Sequence, residues 1–436
     1  MTHLSSAAEN AETRGYDAME VRRSFRLLSM DAIFYFCGLA LIDQSTVLPA
    51  FLASLTDSPV LIGAIIAIRP AGTFLPQLWT AHYLRNRVVH KGFLIKVAAI
   101  SRIAIAAFAV ILFLSGPGDR RLMLWSFLAM YAAFWFSEGG AGVPWTDLMA
   151  KTIPERLRGR LFGVMQFVGG ILAVLAGLFA SRMLSPSGPE YPTNYAVLAG
   201  TAAFFFALSL ASLSAVREPE GPAEEHDGGF LEYARKIGKM LSGHRQLKRL
   251  LIVQVLMGFF GMSLPFYILY ARDTASVGGG MVGIFLSVQM AGSIASSAVS
   301  GYVSDHLGPK LVILLTILVG IFAPVFALLI AGSHVWVYGI LFFAVGWILG
   351  SGWIGITNFL LEMAEPRERR SYIGVLNTAN APTMIFPILG GLIVQAVSYR
   401  AVFAVTALAL IIAFTLALGL RSRDGASSSP LPGTDN

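Results

Sequence analysis

Residues 311–331 read LVILLTILVGIFAPVFALLIA, twenty-one positions without one charged side chain. As a helix rising 1.5 Å per residue, this stretch is long enough to cross the roughly 30 Å hydrocarbon core of a bilayer. One such run also suits the core of a large soluble protein; a series of them does not. Only 13% of the 436 residues are charged and 56% are hydrophobic, whereas soluble domains average about 25% charged. The chain has too little polar surface to be wetted. It is read as an all-α membrane protein that crosses the bilayer many times.

Working outward from that run, apolar stretches predict twelve spans, at about 28–52, 60–82, 93–114, 122–149, 161–184, 195–215, 250–270, 281–303, 311–331, 335–361, 372–397 and 401–420. Short joints such as SGPGD (115–119) and HLGPK (306–310) carry turn residues. The one long joint, 216–249, begins acidic and Pro/Gly-rich, then turns basic and amphipathic (Phe230, Leu231, Ile237, Leu241), as expected of a surface helix. It divides the chain into two six-helix bundles, 28–215 and 250–420, with tails at 1–27 and 421–436, the latter expected to be disordered. Placing the N-terminus in the cytoplasm puts 24 Lys and Arg on that side, 4 on the other (Arg120, Arg121, Arg272, Arg400) and 4 within spans. That bias predicts both termini inside, in a cell membrane. It also accounts for the +7 net charge as loops facing anionic lipid rather than nucleic acid. Residues 1–26 lack the pattern of a signal peptide, so the first helix is expected to remain as an uncleaved anchor.

Charges within the spans need a partner or water, because each costs about 2.5–3.5 kcal/mol at a helix centre. The deep ones are Asp43, Arg69, Arg102 and Glu138, in spans 1 to 4. By depth, Asp43 matches Arg69 and Arg102 comes near the level of Glu138, which predicts two pairs. On span 4, Tyr131, Trp135, Glu138, Gly142 and Trp145 share a face, with Asp147 opposite. Asp31 and Lys96 are placed too near the inner surface to join them. Two readings stay open: fixed ion pairs that brace the first bundle, or a carboxyl that binds a proton or a cationic substrate. The second bundle offers neutral polar groups instead, namely Gln254, Gln289, Asn358, Asn377 and Asn380. These suit either interhelical hydrogen bonds or a polar wall for substrate. Gln289 is assigned to packing, and Phe259, Phe260, Tyr267, Trp347 and Trp353 to lipid-facing or interfacial positions.

The halves resemble each other. RGRLFGVMQ (158–166) aligns with RRSYIGVLN (369–377), and Trp145-Thr146-Asp147 with Ile356-Thr357-Asn358 at the same offset. Both matches fall at the junction of the fourth and fifth spans of their half, as in a parallel duplication, an arrangement that builds secondary transporters. GYVSDHLGPK (301–310) then resembles the G-x-x-x-D-x-x-G-x-[RK] signature of the major facilitator superfamily. The resemblance implies a cytoplasmic gate latch at Gly301, Asp305, Gly308 and Lys310, with Arg156, Arg158, Arg369 and Arg370 as gate cations. Gly301 is expected to allow close helix approach and Gly308 a tight turn. The matching loop of the first half, HYLRNRVVHK (82–91), departs from the pattern, with Asn86 where Asp belongs. LIDQSTVLP (41–49) loosely resembles a first-span pattern of proton-coupled drug exporters, while Glu138-Gly139 stands where their fourth span has Gln-Gly.

No phosphate-binding G-x-x-x-x-G-K-[ST] loop occurs, and no His or Cys constellation suggests a membrane enzyme. The lone Cys37 excludes an intrachain disulfide. The expected function is a secondary active transporter of a small solute, working by alternating access as a proton-coupled monomer without cofactor or metal. Glu138 is the first choice for the proton carrier, because the resemblance implies that span 4 lines the cavity. Export of an amphiphilic, drug-like compound and uptake of a small metabolite both stay open. A channel or receptor is the alternative from another class.

Overall fold

The computed structural model describes residues 18–84, 89–219, 244–364 and 369–420. These residues form helices and connections, with no strand among them. By contacts they fall into two units, one holding 18–219 with 276–290, the other 244–275 with 291–420. The amphipathic stretch Phe230–Leu241, Asn86 and the outer parts of both tails lie outside the described residues, as do the side chains of Arg369, Arg370 and Asn377.

In the first unit, helix α1 (Ala18–Leu41) is followed by α2 (Val47–Leu55), α3 (Pro59–Leu84), α4 (Lys91–Leu114), α5 (Arg120–Thr152), α6 (Glu155–Leu184) and α7 (Thr193–Ser214). The expected first span is therefore two helices. The break comes from the stretch quoted for its exporter likeness. Asp43 accepts the backbone N–H groups of Ser45 and Thr46, each at 2.9 Å. Such local bonds compete with the helical ladder, and Pro49 has no N–H to restore it. α1 also begins ten residues before the expected start at 28, so Asp31 lies well inside the helix.

The second unit is more broken. Its first span runs as α8 (Arg245–Gly258), α9 (Phe260–Ser263) and α10 (Phe266–Ala275), with Pro265 at the last interruption. Helices α11 (Gly279–Leu307), α12 (Pro309–Leu329) and α13 (Tyr338–Met363) follow, and residues 276–290 of this stretch group with the first unit. The expected span 372–397 is α14 (Arg369–Ala379), a 3-10 turn at Ala381–Ile385 and α15 (Phe386–Ala396), broken around Pro382. Helix α16 (Tyr399–Leu418) closes the unit.

Eleven helical stretches among the described residues are long and apolar enough to cross a membrane. The fourth expected span, α5, is not one of them. With 33 residues it is the longest helix, but Glu138 and the glycines at 139, 140 and 142 dilute its apolarity. Tyr267 and Phe260, expected to face lipid, are buried within the second unit. Trp353 is half exposed.

One contact fixes the register of the first unit. A Cβ built on Gly139 of α5 would run into the backbone carbonyls of Gly72 and Thr73 on α3, and one built on Gly72 would meet the backbone of Trp135. Glycine on both helices lets their backbones touch, as small residues do between membrane helices. One turn earlier on each helix stand Arg69 and Trp135. Gly301, in contrast, has open space where its Cβ would be, so it does not serve the close helix approach expected of it. Gly139→Val is expected to destabilise the protein by about 1–3 kcal/mol through overpacking, read as a lowered melting midpoint in detergent. Gly301→Val should leave the midpoint near that of the parent.

Candidate functional site

The deep charges of the first unit converge as one network. The Arg102 guanidinium on α4 pairs with Glu138 on α5, and both side chains are almost fully buried. Arg102 also donates to the hydroxyls of Ser101 at 2.7 Å and Ser209 of α7 at 3.3 Å. Ser101 can in turn donate to Glu138 at 2.7 Å. The Ser209 hydroxyl, taking one bond from Arg102, passes its own proton to Asp31 Oδ1 at 2.6 Å, while Trp145 Nε1 donates to Asp31 Oδ2 at 2.9 Å. Two carboxylates on α1 and α5 thus share one guanidinium, directly and through a serine. The rings of Tyr35 and Phe206 lie 5.6 and 5.7 Å from its charged carbon. The expected Arg102–Glu138 pair is present. Asp31, set aside on the sequence, is its third charged member.

The other expected pair does not form. Asp43 is consumed by the helix break. Besides the two backbone amides, its Oδ1 accepts the hydroxyls of Ser45 and Thr46, and its Oδ2 accepts Gln289 Nε2 at 3.3 Å. Gln289 Oε1 faces the Ser45 hydroxyl at 2.6 Å, so this glutamine belongs to the polar knot around Asp43. Arg69 instead stacks its guanidinium over the Trp135 indole, 4.6 Å from the ring centre. Among the described residues no ion pair to Arg69 occurs.

A second charged cluster lies at the end of the unit expected to face the cytoplasm. Glu218 accepts the backbone N–H groups of His90 and Lys91 at the start of α4, at 3.0 and 2.7 Å. A carboxylate is favoured there, where helix amides lack partners. Lys151 bridges Glu218 and Asp147 at 2.9 and 2.8 Å, and His90 Nδ1 lies 2.7 Å from Asp147. The three acidic and imidazole groups could in principle chelate a cation, but the lysine ammonium already fills that role. Burial works against the Lys151 charge, yet its two carboxylate partners outweigh it and hold its pKa above the usual lysine value. A raised folded-state pKa gives stability that is complete below the unfolded value and lost only as pH climbs through the folded one. The clamp therefore holds across the neutral range. The Asp147/Lys151 spacing of four residues was its only sequence signal; Glu218 lay hidden at the mouth of the linker.

In the second unit the expected polar residues scatter. Asn358 donates to the Ser304 hydroxyl at 2.9 Å. Gln254 is buried with its Oε1 lacking a partner. Asn380 sits at the helix break, where its carbonyl accepts the Thr383 hydroxyl at 2.7 Å.

Residues 250–436 match the family model described as Major Facilitator Superfamily. That match falls on the second six-helix half of the chain. Its fold is similar to that of the nucleoside transporter NupG (TM-score 0.67, 12% identity, covering 91% of this chain and 98% of that one). It is also similar to a bacterial homologue of the human lysosomal transporter Spinster (TM-score 0.61, 13% identity, 91% and 95%). A variant of the E. coli fucose:proton symporter FucP gives a TM-score of 0.57 at 13% identity (91% and 98%). No curated protein matches the sequence. The chain thus shares its fold with these membrane transporters.

Within the superfamily signature, Gly308 has a positive φ of 89° and makes the expected turn into α12. Lys310 donates to the Leu418 carbonyl at 2.8 Å, capping the end of α16. Asp305 is exposed; of its expected partners at 366–370, residues 366–368 lie outside the described residues. Arg158 caps α5 through the carbonyls of Ala150 and Ile153, at 2.9 and 3.1 Å, and Arg156 is exposed. Glu218→Ala strips the acceptor from the first amides of α4 and leaves Lys151 with one carboxylate. A loss of about 1–3 kcal/mol is expected, together with faster amide exchange at residues 90–94, measured by hydrogen–deuterium exchange.

Proposed function

We propose that this protein is a secondary active transporter that works by alternating access and couples solute movement to protons through the Asp31–Ser209–Arg102–Glu138 network. The observation that carries the reading is the sharing of one buried guanidinium by two buried carboxylates. With both ionised, the network's own groups sum to one negative charge in surroundings of low dielectric, where such a charge is costly. One proton, shared between the two carboxyls as a coupled pair, removes it. Glu138 is the exchangeable position. Asp31 has both oxygens filled by the neutral donors Ser209 and Trp145, whereas Glu138 faces the guanidinium directly. A movement that parts Arg102 from Glu138 lets the proton be taken up on one side and given up on the other.

Breaks in the first span of each half, at 42–46 and around Pro265, support a transporter of this kind. Interrupted segments at corresponding places in two repeats commonly mark where substrate and coupling ion bind. Uptake with a proton is the favoured direction. The exporter likeness rested on Asp43, which is occupied as a helix cap, and a fucose:proton symporter stands among the structural neighbours.

The test begins with a thermal-shift screen of a solute library on purified protein, followed by flux into proteoliposomes containing a pH-sensitive dye. The parent should move protons with solute. Glu138→Gln should keep solute binding and counterflow exchange but lose proton movement at least tenfold. Asp31→Asn should shift the pH at which coupling is half-maximal. Intact proton coupling in Glu138→Gln retires the proposal.

A further inference from the structure

The geometry points to Arg69, Tyr131 and Trp135 as a binding site for the carboxylate of an anionic substrate. This inference rests on the transporter reading and names the substrate class. Arg69 is half-buried in a membrane span, where a charge requires compensation. The Trp135 indole face attracts it at 4.6 Å but brings no negative charge. The guanidinium N–H groups form a planar fork that fits a carboxylate, and no carboxylate among the described residues pairs with them.

Two more donors stand beside it. The Tyr131 hydroxyl and Trp135 Nε1 are both buried without a hydrogen-bond partner. They lie close enough to act on one another, and the charge of Arg69 reaches Tyr131, but neither meets the geometry of a hydrogen bond. Buried polar groups are nearly always satisfied in folded proteins, and an indole N–H can only donate. The carboxylates nearby are spoken for. Asp43, whose field also reaches Tyr131, has both oxygens occupied by Ser45, Thr46 and Gln289. Glu138, one turn beyond Trp135, belongs to Arg102.

The protein therefore brings together a guanidinium, a phenol and an indole N–H and, among the described residues, pairs no carboxylate with them. A carboxylate fits this set. It brings a negative charge, two oxygens that match the guanidinium fork, and lone pairs to spare for a hydroxyl or N–H donor. A neutral polyol would leave the arginine charge uncompensated. The Gly72–Gly139 backbone contact one turn away holds Arg69 and Trp135 at a fixed separation, so the donors are set before the ligand arrives.

The test is calorimetric titration of the full-length protein in nanodiscs with benzoate, using benzamide as the uncharged isostere and inorganic phosphate as a second anion. Benzoate is expected to bind at least tenfold more tightly than benzamide. Arg69→Gln should abolish that preference, and Trp135→Phe, which keeps the stacking face but removes the N–H, should weaken benzoate several-fold. Arg69→Lys guards against misfolding: it retains charge and should bind benzoate weakly, with a melting midpoint near that of the parent. Tighter binding of phosphate than benzoate overturns the carboxylate assignment. Equal binding of benzoate and benzamide, no benzoate binding at all, or unchanged benzoate affinity in Arg69→Gln overturns the site. Because titration needs neither flux nor a pH gradient, benzoate binding that survives in Glu138→Gln separates this site from the proton network, whose failure would show only in the coupling assay.

Discussion

The guanidinium of Arg102 is the constraint on which the first unit depends. A cation placed among apolar helices must be neutralised there, and the chain does this with groups from three other helices. Asp31 and Ser209 approach from α1 and α7, Glu138 and Trp145 from α5. No single one of these contacts is unusual, but together they tie four helices at one level. Removing one member of a buried pair strands the remaining charge, which in soluble proteins costs about 3–5 kcal/mol. The network thus braces four helices, and the proposed proton role draws on the same groups. The two readings of the intramembrane charges are not exclusive.

The membrane class and the Arg102–Glu138 pair were legible in the sequence because they follow from quantities that are local along the chain: apolar run length and depth from a helix end. Asp31 was not, since its depth was counted from an apolar boundary at 28 while the helix itself starts at Ala18. Asp43 misled for a different reason. Depth arithmetic assumes an unbroken helix, and the Asp43-Gln44-Ser45-Thr46 stretch followed by Pro49 is a helix-breaking sequence whose carboxylate folds back on its own amides. Glu218 shows a third kind of failure. Its partners lie 67 and 128 residues away, and nothing in the local pattern of a linker announces a tertiary contact.

The second unit carries a different logic. The polar side chains deep within its spans are neutral and dispersed, and its structural variety lies in the backbone, with interruptions at Pro265 and Pro382. Prolines cannot donate to the helical ladder, so carbonyls one turn upstream are released at those points. A chain that concentrates charge in one half and backbone irregularity in the other has divided two tasks that a membrane penalises in separate ways.

The Glu218 clamp has a mechanical corollary. It fastens the chain just after α7 to the first amides of α4, so tension arriving from the stretch beyond is delivered to that helix and not to α7 alone. Arg102 rides on α4 eleven residues further on, about three helical turns from the fastening point. A tug at the tether is thereby geared to the ion that holds the first bundle's charges together.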